Sequence, residues 1–293
     1  MLFSCSQKEV SKSEEQLLRI PYVSSLDSTA RDYFIYLPKG YKESNADEWP
    51  VLVFLHGNGE RGNGKDELDY VLIHGPLYEA WIQKRDLPFI IIVPQLHMFN
   101  QDKLGLDYID NRVTDWIPKR LKDGVPKRSK NFTTNQSMQG AVSNDSVPKL
   151  SHLKYGWNNV QTDVVAMIDT TLQNYSADKN RVYLSGISYG GFGTWHIASN
   201  NPQRFAAINP IVGWGHPSLM DSIAKYKVPV WQFAGGRDFV IPATNFFKGL
   251  NRLEQLGNHN IRFTIHEDMG HDAWRRIYGG NDIYNWLLTH NLK

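Results

Sequence analysis

The chain has 293 residues and a single cysteine, Cys5. One cysteine can close no internal disulfide and can assemble no zinc cluster, so neither device is available to hold the fold. Its ten histidines form no H-E-x-x-H pair. The nearest approach to a ligand group, His97 with Asp102 and Asp107, is scattered along a polar stretch, so no metal and no cofactor is expected. Charge of one sign is missing as well. With 32 Lys and Arg against 30 Asp and Glu, the formal net charge is +2 and the signs are interspersed, which argues against nucleic acid as the main partner. The basic cluster between Lys119 and Lys130 reads as a solvated loop. No apolar run approaches the roughly 18–20 residues that a bilayer-crossing helix needs.

What remains is a composition suited to one well-filled core: 41% hydrophobic and 12% aromatic. Its N-terminus carries an address. Leu2-Phe3-Ser4-Cys5 resembles the lipobox at which bacterial signal peptides are cut and the cysteine is lipidated, and a polar stretch follows it. The expectation is a tether over residues 1–18, acylated at Cys5, followed by a catalytic domain over residues 19–293. Membrane contact would then run through the lipid alone, in the bacterial cell envelope or periplasm. A cytoplasmic N-terminus without a lipid is the alternative.

Along the domain, Tyr33–Leu37 reads as a strand. Val51–Leu55 and Phe89–Val93 are apolar without alternation, as expected of strands buried on both faces of a mainly parallel sheet. Apolar periodicity fades between Leu96 and Gly156, too long a stretch for a structureless loop inside a compact domain, and it reads as an insertion. Alternation then resumes: a helix over Asn159–Asn174, strand Arg181–Ser185, helix Gly190–Ser199, strands Ala206–Val212 and Val228–Ala234, helix Thr244–Leu256, strand Ile261–His266 and helix Asp282–Leu288. That order predicts an α/β fold with helices on both faces of the sheet, and sites at the carboxyl ends of its strands.

Gly186-Ile187-Ser188-Tyr189-Gly190 stands between a hydrophobic strand and a helix, the context of a nucleophile elbow. A serine hydroxyl needs a base within hydrogen-bond reach, and that base needs an acid to fix its tautomer. Asp238, in a glycine-bent turn just past a strand, is the candidate acid. Asp221 and Asp268 compete with it. His271, in Met269-Gly270-His271, is the candidate base. Backbone N–H groups must receive the negative oxygen of a tetrahedral intermediate. His56-Gly57-Asn58-Gly59 follows a central strand, so the amides of Asn58 and Tyr189 form the expected pair, with Gly59 as substitute for Asn58. Gly59, Gln95 and Trp214 are candidates for lining the substrate.

These segments together resemble a branch of the α/β hydrolases that includes polyhydroxybutyrate-depolymerase-like esterases, feruloyl esterases of the first carbohydrate-esterase family and a group known as predicted peptidases. The resemblance is carried by Arg31-Asp32-Tyr33, by Tyr36-Leu37-Pro38 and by Leu55-His56-Gly57-Asn58-Gly59-Glu60-Arg61-Gly62. Val93-Pro94-Gln95 and the run from Arg181 through Gly186 to Gly190-Gly191-Phe192-Gly193-Thr194-Trp195 extend it. It implies cofactor-free hydrolysis of an ester, free or linked to a polysaccharide, through an acyl-enzyme, with Ser188, Asp238 and His271 at the triad positions. The stretch from Leu96 to Gly156 departs from the family's pattern; leaving from the carboxyl end of a strand, it is placed to overhang the pocket. Tyr108, Trp116, Phe132 and Trp157 are candidates for stacking on sugar or phenolic rings or, equally, for anchoring this segment to the body. Gly186 to Gly191 also resembles prolyl-oligopeptidase elbows, which leaves a serine peptidase as an alternative. A non-catalytic carbohydrate-binding surface protein is the third.

Overall fold

The computed structural model describes residues 13–43, 48–122 and 153–292. Eight strands form one sheet in the order β1-β2-β4-β3-β5-β6-β7-β8. They are β1 (Gln16–Val23), β2 (Ala30–Leu37), β3 (Trp49–Leu55), β4 (Ile90–Val93), β5 (Ala177–Ile187), β6 (Ala207–Ile211), β7 (Val230–Gly235) and β8 (Ile261–His266). The first two strands and the β2–β4 pair are antiparallel, and every later pair is parallel. Helical segments follow in chain order as α1 (Gly75–Leu77), α2 (Asp107–Asp110), α3 (Gln161–Asn174), α4 (Tyr189–Asn200), α5 (Met220–Lys225), α6 (Phe247–Gln255), α7 (Trp274–Gly279) and α8 (Asp282–Leu288).

The unbroken apolar run in β3 has a direct physical reason. Its side chains alternate between two cores: Val51, Val53 and Leu55 face α3, α4 and α6, while Leu52 and Phe54 face α1, α7 and α8. All five are fully buried. At about 25 cal/mol per Å², burying such a side chain contributes ~1.5–3 kcal/mol, and the doubly covered strands β3 to β6 carry the parallel ladder that fixes the loops at their carboxyl ends.

One expectation needs correction. The tether expected through residue 18 overlaps the sheet, because β1 begins at Gln16 and pairs with β2 from Gln16↔Leu37 to Val23↔Ala30. Leu18, Ile20 and Tyr22 of this edge strand lean on one core, and the charged residues just before it mask the pattern in the sequence. Ser13 is already engaged, its Oγ donating to Tyr41 O at 2.8 Å. Cys5 lies outside the described residues. Of the two readings open for Trp157, stacking surface or anchor of the segment, the structure bears out the anchor. It is 1% exposed, donates Nε1–H to His56 O at 3.1 Å and packs edge-on against the His56 ring. Gly193 of α4 makes the room, since a Cβ there would lie 2.6 Å from Trp157 Cβ.

Of the expected insertion at 96–156, residues 96–122 and 153–156 are described, and the first stretch is organised by short helical segments: Gln101–Lys103, α2 and Thr114–Trp116. Phe132 lies outside the described residues. Trp157 closes the segment's return into α3, so Trp157→Ala removes both a large buried ring and the bond that holds His56 O. It is expected to cost about 3–5 kcal/mol, read as a lower urea midpoint at unchanged slope.

Candidate active site

β5 delivers Ser188 at the sheet's carboxyl edge, and α4 begins with the next residue. Ser188 adopts φ 49° and ψ −113°, a strained conformation for a residue with a Cβ. Its N–H donates to Ile211 O of β6 at 3.0 Å, which ties the turn to the neighbouring strand. The flanking glycines are steric necessities. A Cβ on Gly186 would lie 2.3 Å from Gly190 O, and one on Gly190 would lie 1.8 Å from Leu55 O.

The structure brings Ser188, His271 and Asp238 together. Asp238 follows the end of β7 and is fully buried; its Oδ1 accepts from Val240 N at 2.8 Å and Ile241 N at 2.9 Å. Its Oδ2 lies 2.8 Å from His271 Nδ1, and His271 Nε2 lies 3.0 Å from Ser188 Oγ. The carboxylate can only accept, so the ring proton sits on Nδ1 and Nε2 faces the serine with a free lone pair. The rival acids are engaged elsewhere. Asp221 pairs with Arg252 at 2.9 Å, and Asp268 is gripped by both arms of Arg276 at 2.6 Å, a contact that holds its carboxyl down near about 2. His56 is a structural clamp: Nδ1–H donates to Gly57 O at 2.7 Å and Nε2 accepts from Leu96 N at 2.9 Å. Burial pushes its pKa to about 3, so it stays neutral.

The loop after β3 packs on the elbow, with the Cβ direction of Gly57 meeting Ser188 Cβ at 3.7 Å. Asn58 opens a short 3-10 turn (Asn58–Glu60) and Tyr189 opens α4. The first N–H groups of a helix have no partner inside it, so both amides are of the kind that can receive an oxyanion. Gly59 is half-buried, its carbonyl accepting from Arg112 at 3.2 Å. Trp214 is half-buried and stands edge-to-face on Phe192, with centroids 5.1 Å apart. Gln95 is not placed to touch substrate. It is 1% exposed, and its side chain is spent on Glu60 O at 2.9 Å, Glu67 O at 2.6 Å and Gly64 N at 2.8 Å, bracing the turn that follows the β3 loop. His97 turns away from Asp102 and Asp107 towards Ser24 at 3.2 Å and Asp27 at 3.3 Å.

Solved structures share this architecture. A thermostable esterase matches 94% of this chain and 63% of its own, at 21% identity and a TM-score of 0.60. This chain has the α/β-hydrolase fold. A ferulic acid esterase of the first carbohydrate-esterase family from Anaeromyces mucronatus matches 97% of the chain and 93% of its own, at 16% identity and TM-score 0.53. An acylaminoacyl peptidase from Pyrococcus horikoshii matches 96% of the chain and 43% of its own, at 14% identity and TM-score 0.59. Residues 151–232, which hold β5, the elbow, α4 and β6, match the prolyl oligopeptidase family. A stretch of 79 residues is 37% identical to a bifunctional acetylxylan esterase/xylanase from Neocallimastix patriciarum; it makes up 27% of this chain and spans 11% of that enzyme's length.

Around the loop after β3 lie groups for which the sequence suggested no such part. Tyr108 OH accepts from Asn58 Nδ2 at 2.9 Å, and Arg112 donates to both Gly59 O and Arg61 O. Glu60 is 6% exposed, and its Oε2 has no hydrogen-bond partner among the described residues. The nearest cation formers are His74 at 3.6 Å and His56 at 3.7 Å. Neither contact is an ion pair at neutral pH, because burial holds His74 near about 4 and His56 near about 3. Burial raises the Glu60 carboxyl to about 7, against the pull of backbone amides at Gly57 and Glu60.

A carboxyl whose folded pKa is raised binds its proton more tightly when folded. Its contribution is fully present below the unfolded value of 4.5 and is lost as pH rises towards 7. Glu60→Gln removes that loss. The variant is expected to gain stability relative to the parent between pH 5 and pH 8, by at most about 3 kcal/mol. Urea midpoints at the two pH values measure it, and a pH-independent difference would contradict the assignment.

Proposed function

We propose that this chain is a serine carboxylic-ester hydrolase working through an acyl-enzyme on feruloyl or acetyl esters carried by polysaccharide. The observation that carries the reading is the hydrogen-bonded line from Ser188 Oγ to His271 Nε2 at 3.0 Å and from His271 Nδ1 to Asp238 Oδ2 at 2.8 Å. Ser188 Oγ attacks the ester carbonyl while His271 Nε2 takes its proton, and buried Asp238 stabilises the imidazolium. The amides of Asn58 and Tyr189 receive the oxyanion. Collapse expels the alcohol, protonated by His271, and water repeats the sequence to free the acid. The polysaccharide ester is supported by the stretch similar to the acetylxylan esterase/xylanase and by the fold shared with ferulic acid esterases. Acylation of Cys5, holding the enzyme at a bacterial envelope surface, completes the proposal and suits a polymeric substrate.

A peptidase is the second reading, favoured by the match of residues 151–232 to the prolyl oligopeptidase family. Covalent labelling by a fluorophosphonate, abolished in Ser188→Ala, is expected under both readings; an intact protein that does not label would leave a non-catalytic binding protein. Acetylated, feruloylated and glucuronoyl esters assayed beside a proline-linked chromogenic peptide then separate them, with turnover of the esters expected. Ser188→Ala should lower kcat roughly 10⁴-fold or more without loss of fold. Peptide turnover without ester turnover would replace the ester reading.

A further inference from the structure

Two residues past Gly59, the chain buries an arginine. Arg61 is 0% exposed and ranks among the largest fully buried side chains. Among the described residues its guanidinium meets neutral groups: Nε donates to Asn58 Oδ1, Nη1 donates to His97 O at 2.8 Å, and Cζ lies 4.8 Å from the Tyr189 ring centroid and 5.9 Å from that of Phe99. Nη2 has no hydrogen-bond partner among the described residues. Burial pulls its pKa down to about 10, which leaves it a cation at neutral pH. A buried cation without a carboxylate in contact costs stability that a neutral side chain of the same shape would not.

Asn58 and Tyr189, the two residues this guanidinium touches at the site, are those whose amides face the reacting oxygen in the mechanism above. The Asn58 side chain is held at both ends, with Oδ1 taken by Arg61 and Nδ2 by Tyr108. Tyr189 is held through its ring. We propose that Arg61 is a positioning residue for acyl transfer, fixing both oxyanion donors and supplying a buried positive charge whose counter-charge is the tetrahedral oxyanion. The inference rests on the reading of Ser188 as nucleophile. A fixed cation in a water-poor site acts on full negative charge far more than on the carbonyl dipole that precedes it, so its effect falls on kcat and leaves KM.

The test compares Arg61→Met, which removes the charge at similar length, with Arg61→Lys, which keeps it. Three readouts apply: kcat and KM on an ester that the parent turns over, the Ki of an arylboronic acid, whose adduct on Ser188 is anionic and tetrahedral, and the Kd of the neutral amide isostere of the ester. Arg61→Met is expected to lower kcat by about 10²-fold and weaken the boronic acid by a similar factor, with KM and the amide's Kd within ~3-fold; Arg61→Lys restores most of the loss. Equal losses in boronic-acid and amide binding would overturn the proposal, as would a Met variant as active as the Lys variant.

Should Arg61→Met fail to fold, Tyr108→Phe tests the clamp from its exposed side, because it frees Asn58 Nδ2 and leaves Arg61 in place. Its kcat and boronic-acid affinity are expected to fall together by roughly 3- to 10-fold, and no change in either would overturn the clamp. The two levels of reading fail separately. A parent protein that fluorophosphonate does not label refutes the nucleophile assignment, whereas labelling of parent and Arg61→Met at equal rates refutes this inference alone.

Discussion

Ser188 holds a backbone conformation that no ordinary turn would choose, and the arrangement around it exists to keep it there. At φ 49° the serine projects from the end of β5 towards the loops of its neighbours while α4 departs behind it. The turn closes only because Gly186 and Gly190 lack side chains; Leu55 O lies where a Gly190 Cβ would have to be. The same carbonyl ends β3, and its successor His56 starts the loop that carries Asn58. One steric constraint thus sets Ser188 and the loop after β3 against each other, and the bond from Ser188 N to Ile211 O adds β6 to the assembly. The strain is tolerable because β3, β5 and β6 are covered on both faces and cannot relax individually.

That constraint explains what could be read before the fold was seen. A G-x-S-x-G after an apolar strand states the steric requirement in letters, and Asp238 and His271 each sit in a glycine-bearing turn just past a strand. The doubly buried strands were legible for a related reason, since covering both faces removes alternation. What escaped was local or cooperative. β1 is an edge strand with half its residues wet, so it merges into the polar residues before it. The helices α5 and α7 have six residues each, too few for periodicity to speak. Gln95 and Trp157 have the residue types of ligand contacts, and whether such side chains face a pocket or the core is decided by neighbours remote in sequence.

The charges beneath the oxyanion loop show a consistent logic. His56, His74 and Glu60 are each driven by burial towards the neutral form, whereas Arg61, lowered only to about 10, stays charged at neutral pH. A protein interior optimised for stability alone would favour a paired or neutral group in that place. A site that must stabilise a charge it does not hold at rest has the opposite need, an electrostatic field kept unsatisfied until the reaction supplies the missing sign. The same site then carries a stability cost in its resting state, as functional sites commonly do.

The segment leaving β4 bears on this more directly than a covering wall would. Arg112 lies over the Tyr70 ring at 4.3 Å, pairs with Glu67 at 2.7 Å and donates to the carbonyls of Gly59 and Arg61, while Tyr108 holds Asn58. Three of these contacts reach Asn58, Gly59 and Arg61 in the loop after β3. This segment is therefore part of the frame that holds the loop after β3. Under the proposed function, a change in this segment also shifts the loop, and a misplacement of about 1 Å at a reacting centre can cost about 10²-fold in rate. The contacts of Tyr108 and Arg112 with the loop after β3 thus couple the placement of this segment to the placement of that loop.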